Sequence, residues 1–112
     1  MLETKKDKYR KARGGKARFL DVICVNCRQV LLLYQKDGDG NLLRCYLNRI
    51  FAPSNYEMLQ NDAAIREPKD MPNLICSNCN EVIGVPMRHV DGRLAFRLRQ
   101  GHFSKRKSKV GG

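Results

Sequence analysis

The cleanest hydrophobic period in the chain lies near its end. Leu94, Phe96 and Leu98 alternate with Arg93, Arg97 and Arg99, although Ala95 interrupts the polar set. A period of two puts the apolar side chains on a core and the arginines in water, so this segment predicts a strand. Similar runs recur upstream: FLDVI (19–23), QVLLLY (29–34), LLRCYLNRI (42–50), NLI (73–75) and VIGVPM (82–87). The segments KDGDGN (36–41) and VDG (90–92) separate them. Asp-Gly between such runs predicts hairpins, because glycine supplies the positive φ of a tight turn. One stretch reads as helical. Ser54 with Glu57 has the form of a capping box, predicting a short helix over 55–64 that is ended by Pro68 and Pro72.

The pattern repeats. With a shift of 52 residues, VICVNCRQV (22–30) lies over LICSNCNEV (74–82) without a gap. Segments 19–51 and 71–103 share nine identities in 33 positions. Two of these are the anchoring cysteine pairs Cys24/Cys76 and Cys27/Cys79. The others are Ile23/Ile75, Asn26/Asn78, Val30/Val82, Asp39/Asp91, Gly40/Gly92, Leu42/Leu94 and Phe51/Phe103. Chance would give roughly two, so an internal duplication is expected. The expected fold is mainly β: two pseudo-repeated hairpin units, 19–51 and 71–103, each built on a CxxC turn, joined by a helical linker (52–70).

Charge adds two further segments. The 112 residues carry a formal +11, unevenly placed. Residues 1–18 hold eight basic residues (Lys5, Lys6, Lys8, Arg10, Lys11, Arg13, Lys16 and Arg18) against two acidic ones. Residues 104–112 hold Lys105, Arg106, Lys107 and Lys109 and no acid. The middle, 19–103, is nearly neutral, with ten basic and nine acidic residues. Neither end has an apolar period, so neither offsets its ordering entropy by apolar burial, and both are expected to be disordered arms. Removing them is expected to leave the fold intact. No apolar run approaches the ~20 residues of a membrane span, and the charged start has no apolar signal segment. A cytoplasmic, reducing setting is the expectation, in which cysteines serve as ligands or free thiols.

The most specific chemistry is the pair of CxxC motifs, Cys24–Cys27 and Cys76–Cys79, separated by 48 residues. Each CxxC turn aims two thiolates to one side, and a second completes a tetrahedron for Zn²⁺. Soft sulfur suits zinc or iron and excludes Mg²⁺ and Ca²⁺; a redox pair of disulfides is the other alternative. Four cysteines leave no open position, so one structural Zn²⁺ is expected. Cys45 alternates with Leu43 and Leu47 and reads as a buried apolar position. DGDGN lacks the glycine and glutamate a calcium loop requires. His89 and His102 read as surface groups.

Two CxxC hairpins about 50 residues apart, joined by a helix-bearing segment, resemble the β-tent zinc folds, in particular the Yippee-like and methionine sulfoxide reductase B-like architecture and the thalidomide-binding domain of cereblon. The matching residues are Cys24, Cys27, Cys76 and Cys79, with Ile83-Gly84 and FRLRQGHF (96–103) in looser agreement. The resemblance covers 19–103. The reductase would place a catalytic cysteine after the second CxxC, and none follows Cys79; the thalidomide pocket needs tryptophan, and there is none. The basic arms resemble those of ribosomal proteins.

The functional expectation is therefore a non-enzymatic RNA-binding protein, ribosomal or ribosome-associated. Its arms and an arginine row (Arg93, Arg97, Arg99, with Arg44, Tyr46 and Arg49 contributing) would contact rRNA phosphates. Arg44 and Arg49 have opposite parity, so a regular strand would not present both on one face. Neighbouring ribosomal proteins are possible partners, and no small-molecule substrate is expected. The alternative is a Yippee-like protein-interaction adaptor.

Overall fold

Strands dominate the computed structural model, which describes residues 2–110; Met1 of the first arm and Gly111 and Gly112 of the second lie outside the described residues. Among the described residues, eight strands form two antiparallel sheets. The first sheet has the order β4 (Ile50–Ala52), β2 (Val30–Asp37), β1 (Ala17–Cys24), β8 (Phe103–Lys107). The second has the order β3 (Arg44–Tyr46), β7 (Leu94–Leu98), β6 (Val82–Arg88), β5 (Leu74–Ile75). One core joins them: Val22, Leu32, Tyr34 and Ile50 from the first sheet pack with Cys45, Ile83, Phe96 and Leu98 from the second. The mainly β expectation holds, and Cys45 is buried as expected, although Leu43, with which it alternates, is exposed.

Strand pairing does not follow the two halves. β6 and β7 do form the hairpin that VDG predicts: Arg88 pairs with Leu94, and the His89 N–H donates to the Arg93 carbonyl at 2.8 Å. The matching KDGDGN segment does not close a hairpin. After it the chain crosses to the second sheet, where β3 pairs with β7. The far edge of β2 is taken instead by β4, through Leu33–Ala52 and Tyr34–Ile50. Tyr34 ties the crossing strand back, its hydroxyl accepting the Tyr46 N–H at 2.8 Å.

The arms are the main departure from expectation. β8 places Phe103–Lys107 against β1, pairing Val22 with Lys105 and Leu20 with Lys107, and the Ser108 N–H extends the ladder to the Phe19 carbonyl at 3.0 Å. A ladder needs backbone groups and no apolar side chains, and without it the edge of β1 would leave its polar groups unpaired. At the other end α1 (Lys8–Ala12) starts at Asp7, whose carboxylate accepts the N–H groups of Tyr9 and Arg10. The same carboxylate accepts from Arg49 at 2.6 and 3.0 Å, and Arg49 donates to Asp37 at 2.8 Å. Lys5 seals the segment down. Its N–H donates to the Gln35 side chain at 2.6 Å and its carbonyl accepts from it at 3.0 Å. Polar contacts to buried partners, rather than apolar burial, offset the ordering entropy.

The linker helix is shorter than expected. α2 covers Ser54–Glu57 and tightens into a 3₁₀ turn, Met58–Asn61. Pro53 stands at the N-cap, and no side chain caps the helix. The Glu57 carboxylate instead accepts from Gln60 at 3.2 Å. A side-chain cap appears further on, where Asp70 accepts the N–H groups of Glu67 and Arg66 at 3.0 and 3.1 Å around the turn Pro68–Asp70.

Candidate metal centre and basic face

The two CxxC turns close with the same pair of backbone hydrogen bonds. The Cys24 N–H donates to the Gln29 carbonyl and the Cys76 N–H to the Glu81 carbonyl, both at 2.9 Å. The Arg28 N–H donates to the Cys24 carbonyl and the Asn80 N–H to the Cys76 carbonyl, both at 2.8 Å. Arg28 and Asn80, one step past each second cysteine, take the left-handed conformation with φ of 69° and 65°. That conformation is rare for arginine. It turns the chain so that both thiols of a motif face the other motif.

The four sulfurs of Cys24, Cys27, Cys76 and Cys79 lie within 4.8 Å of one another, close enough to hold one metal ion. Cys24 and Cys79 are 3.7 Å apart, and Cys27 and Cys76 are 3.4 Å apart. Four sulfurs around a zinc-sized ion at about 2.3 Å would be spaced by about 3.8 Å, so the cluster fits such an ion. The first cysteine of each motif is buried and the second half-buried. Hydrogen bonds from the Asn78 side chain and the Gln29 backbone pull the Cys27 thiol down to about 6. Burial pushes Cys24 up to about 11 and raises Cys76. A coordinated cation overrides such differences, because a ligating thiol is deprotonated outright. His102 is not in the cluster; its Nδ1 lies 3.2 Å from the Glu81 carboxylate. His89 packs edge-on against Tyr46.

The predicted basic residues separate into two groups. Lys6, Lys8, Lys11, Arg13, Lys16, Arg97, Arg99, Lys105, Arg106, Lys107 and Lys109 are exposed. Among these, Arg106 is paired with Asp21 at 3.0 Å, and Arg99 donates to the Val82 carbonyl at 2.9 Å. Others serve the fold. Lys5 donates to the Asn48 carbonyl and the Gln60 side chain at 2.6 and 2.8 Å. Arg10 bonds Gly15 and Thr4, and Arg18 bonds Gly38 beside Asp39. Arg93 is held by Asp91 at 2.9 Å and sandwiched between the rings of Tyr9 and Tyr46, 3.8 and 3.6 Å from their centroids. It was expected in water with Arg97 and Arg99, but its side chain is only 11% exposed. Arg49 is fully buried in its ion triad, so it contributes nothing to a binding surface.

Sequence reasoning gave no role to Lys36, which is buried, and did not foresee that the arm residue Tyr9 stacks on Arg93. The Asp7–Arg49 contact spans 42 residues, so no local pattern could reveal it. The one available signal was an acid placed among the lysines of the first arm.

The fold and the cluster together define a β-rich chain with a four-cysteine site able to hold a metal ion. No described helix is long and apolar enough to cross a membrane. Comparison with protein-family models, with curated proteins and with solved structures finds no match to this chain.

Proposed function

We propose that the chain is a non-enzymatic RNA-binding protein, ribosomal or ribosome-associated, in which one structural Zn²⁺ on Cys24, Cys27, Cys76 and Cys79 stiffens a platform for phosphate contacts. The observation that carries the reading is the pairing of Arg44 directly opposite Arg97 in the second sheet. Like charges directly opposite one another destabilise a sheet, so this pair points to an anionic partner. Arg97 on β7 and Arg99 just after it are exposed, as are Lys105 and Lys107 on β8 and Lys109 beyond it. With a formal +11, these groups suit a polyanion read by shape and backbone.

The test is binding of zinc-loaded protein to structured RNA across a salt series. Neutralising about six phosphates gives a log–log slope near about −5. Arg97→Glu with Arg99→Glu should weaken binding at least about tenfold, since each lost charge-assisted contact carries a kcal/mol or more. A flat salt dependence would overturn the reading. Co-sedimentation with ribosomes at low and high salt, with zinc measured in the peak, tests the ribosomal part.

One observation favours the second reading, a protein-interaction adaptor. A groove of about 360 Å³ beside the cysteine turns is lined by Val30, Leu33, Tyr56 and Ile75, of which Val30 and Ile75 are exposed apolar groups. A pull-down that survives nuclease treatment would select that reading.

A further inference from the structure

Among the described residues, Lys36 is a buried cation that makes no ion pair with a carboxylate. It is 7% exposed, and its ammonium meets only the carbonyls of Asp37 and Gly38, at 3.3 and 3.5 Å. An ammonium taken out of water without an anion is costly, and burial is tolerated where a charged partner completes the site. The Asp37 carboxylate lines the same cavity and partly offsets this charge, but it forms no ion pair with the ammonium. Asp37 accepts from Gln35 on one oxygen and from Arg49 on the other, each at 2.8 Å.

The groups around Lys36 add positive charge. Burial lowers its pKa first, the charges of Arg13, Arg18 and Lys105 lower it further, and Asp37 opposes them in part. Lys36 lines a cavity of about 70 Å³ with Arg13, Arg44, Arg93, Asp37, Tyr34 and Tyr46. Arg93 is neutralised by Asp91. Among the described residues, Arg13, Lys36 and Arg44 form no ion pair with any carboxylate. The Tyr34 hydroxyl accepts the Tyr46 N–H and keeps its own proton to donate. The cavity is far smaller than the ~300–1,000 Å³ of a pocket for a drug-sized molecule, so it suits one small oxyanion.

We propose that this cavity is a phosphate site, in which Lys36 at the wall of β2, Arg13 from the turn after α1 and Arg44 of β3 bind the oxygens of a single phosphate group. Guanidinium groups match phosphate oxygens in paired hydrogen bonds, and the lysine supplies a point charge. The proposal rests on the RNA-binding reading for its biological source, a backbone or terminal phosphate of a nucleic acid. The same chemistry would take free phosphate.

The experiment titrates inorganic phosphate into the full-length, zinc-loaded protein at constant ionic strength. It follows the side-chain nitrogen signals of Lys36, Arg13 and Arg44 by NMR. The expected result is a saturable shift at these three groups, with affinity at least about tenfold weaker in Lys36→Met, the loss of one charge-assisted contact. Lys69→Met is the control. It removes an exposed lysine beside Glu67 and should leave the titration unchanged. Should Lys36→Met fail to fold, Arg44→Gln carries the same expectation on a half-buried side chain. A shift that never saturates, or that is spread equally over the exposed lysines, overturns the site.

A second arm repeats the titration with a single-stranded uridine oligomer. If the oligomer displaces phosphate from the Lys36 signal, the source is nucleic acid. If phosphate saturates the site and the oligomer leaves it unmoved, the site stands and the source is free phosphate. If RNA binds with a steep salt slope while phosphate never reaches Lys36, the site falls and the RNA-binding reading survives.

Discussion

The two CxxC halves agree at their turns and part at their strands. Around the sulfurs the two bonds that close the Cys24–Gln29 turn have their counterparts in Cys76–Glu81, while the bond from the Val25 N–H to the His102 carbonyl has none. Beyond them, β2 takes β4 as its second neighbour, whereas β6 takes β7. The same Asp-Gly signal closes a hairpin at 91–92 and starts a crossing at 39–40. A four-sulfur cluster demands one turn geometry twice, because each motif must aim two thiols at a common point. Strand partners answer a different demand, which is that every edge and buried backbone group be covered. In the first half that demand is met by segments from elsewhere, β8 along β1 and the N-terminal segment beside Gln35 and Arg49.

The comparison breaks most severely at the cluster. The equivalence of the turns predicts that Cys24→Ser and Cys76→Ser behave alike. Each should lose the metal, and with it a share of a binding free energy on the order of 10 kcal/mol. Unfolding curves with and without a strong chelator, alongside metal content, check this. A chain that stays folded in chelator, or a variant that keeps stoichiometric metal, would contradict it.

The next largest effect lies in a feature only one half has. Arg49 corresponds under the repeat to Gly101, so the buried ion triad has no counterpart. Arg49→Met should cost about 3–5 kcal/mol, because Asp37, with its side chain 8% exposed, would be left a buried and uncompensated charge. Denaturant midpoints measure it. The hydrogen bond from Arg49 also holds the Asp7 carboxyl below its ordinary 3.8, at about 2. A carboxyl with a depressed folded value stabilises above 3.8 and loses that contribution as pH falls through about 2. The amide signals of α1 should therefore loosen over that window, and Asp7→Asn should abolish the pH dependence.

A smaller effect separates the two Asp-Gly loops. Gly40 and Gly92 have φ of 109° and 94° with open space around them, so alanine at either should cost the same, about 1 kcal/mol. Gly38 is different. An added Cβ would stand 2.8 Å from both the Cβ and the carbonyl oxygen of Arg13, and φ is +73°. Gly38→Ala should cost about 2–3 kcal/mol and loosen the turn after α1. Equal costs at all three glycines would mean that the N-terminal segment does not press on this loop.

The features legible in the sequence are those with local causes. The CxxC turns, the VDG hairpin and the burial of Phe96 and Leu98 each follow from residues a few positions apart. Arg44 and Arg49 do part, but not by strand parity: β3 ends at Tyr46, and Arg49 is buried from the 3₁₀ turn Leu47–Arg49. What stayed hidden depends on distant partners. Nothing near Phe103–Lys107 says that the edge of β1 needs covering. Nothing near Lys36 says that Arg13 will stand beside it. A basic segment with no apolar period reads as unstructured, because its anchors, Gln35, Arg49 and Asp37, lie 30 residues or more from Lys5 and Asp7.

The smallest effect sharpens the comparison at its most exact point. Arg28 and Asn80 occupy the same left-handed position, yet they pay differently for it. A short amide tolerates this conformation through local hydrogen bonding, and a long side chain with a crowded Cβ does not. Arg28→Gly should therefore stabilise the metal-loaded protein by about 1 kcal/mol, offset in part by the greater freedom glycine gives the unfolded chain. Asn80→Gly should change stability by less than about 0.5 kcal/mol. Paired denaturation midpoints at saturating zinc resolve the difference. If the two substitutions have equal effects, the strain at the turns is not set by the residue after the second cysteine, and the first turn must be relieved by a contact the second lacks.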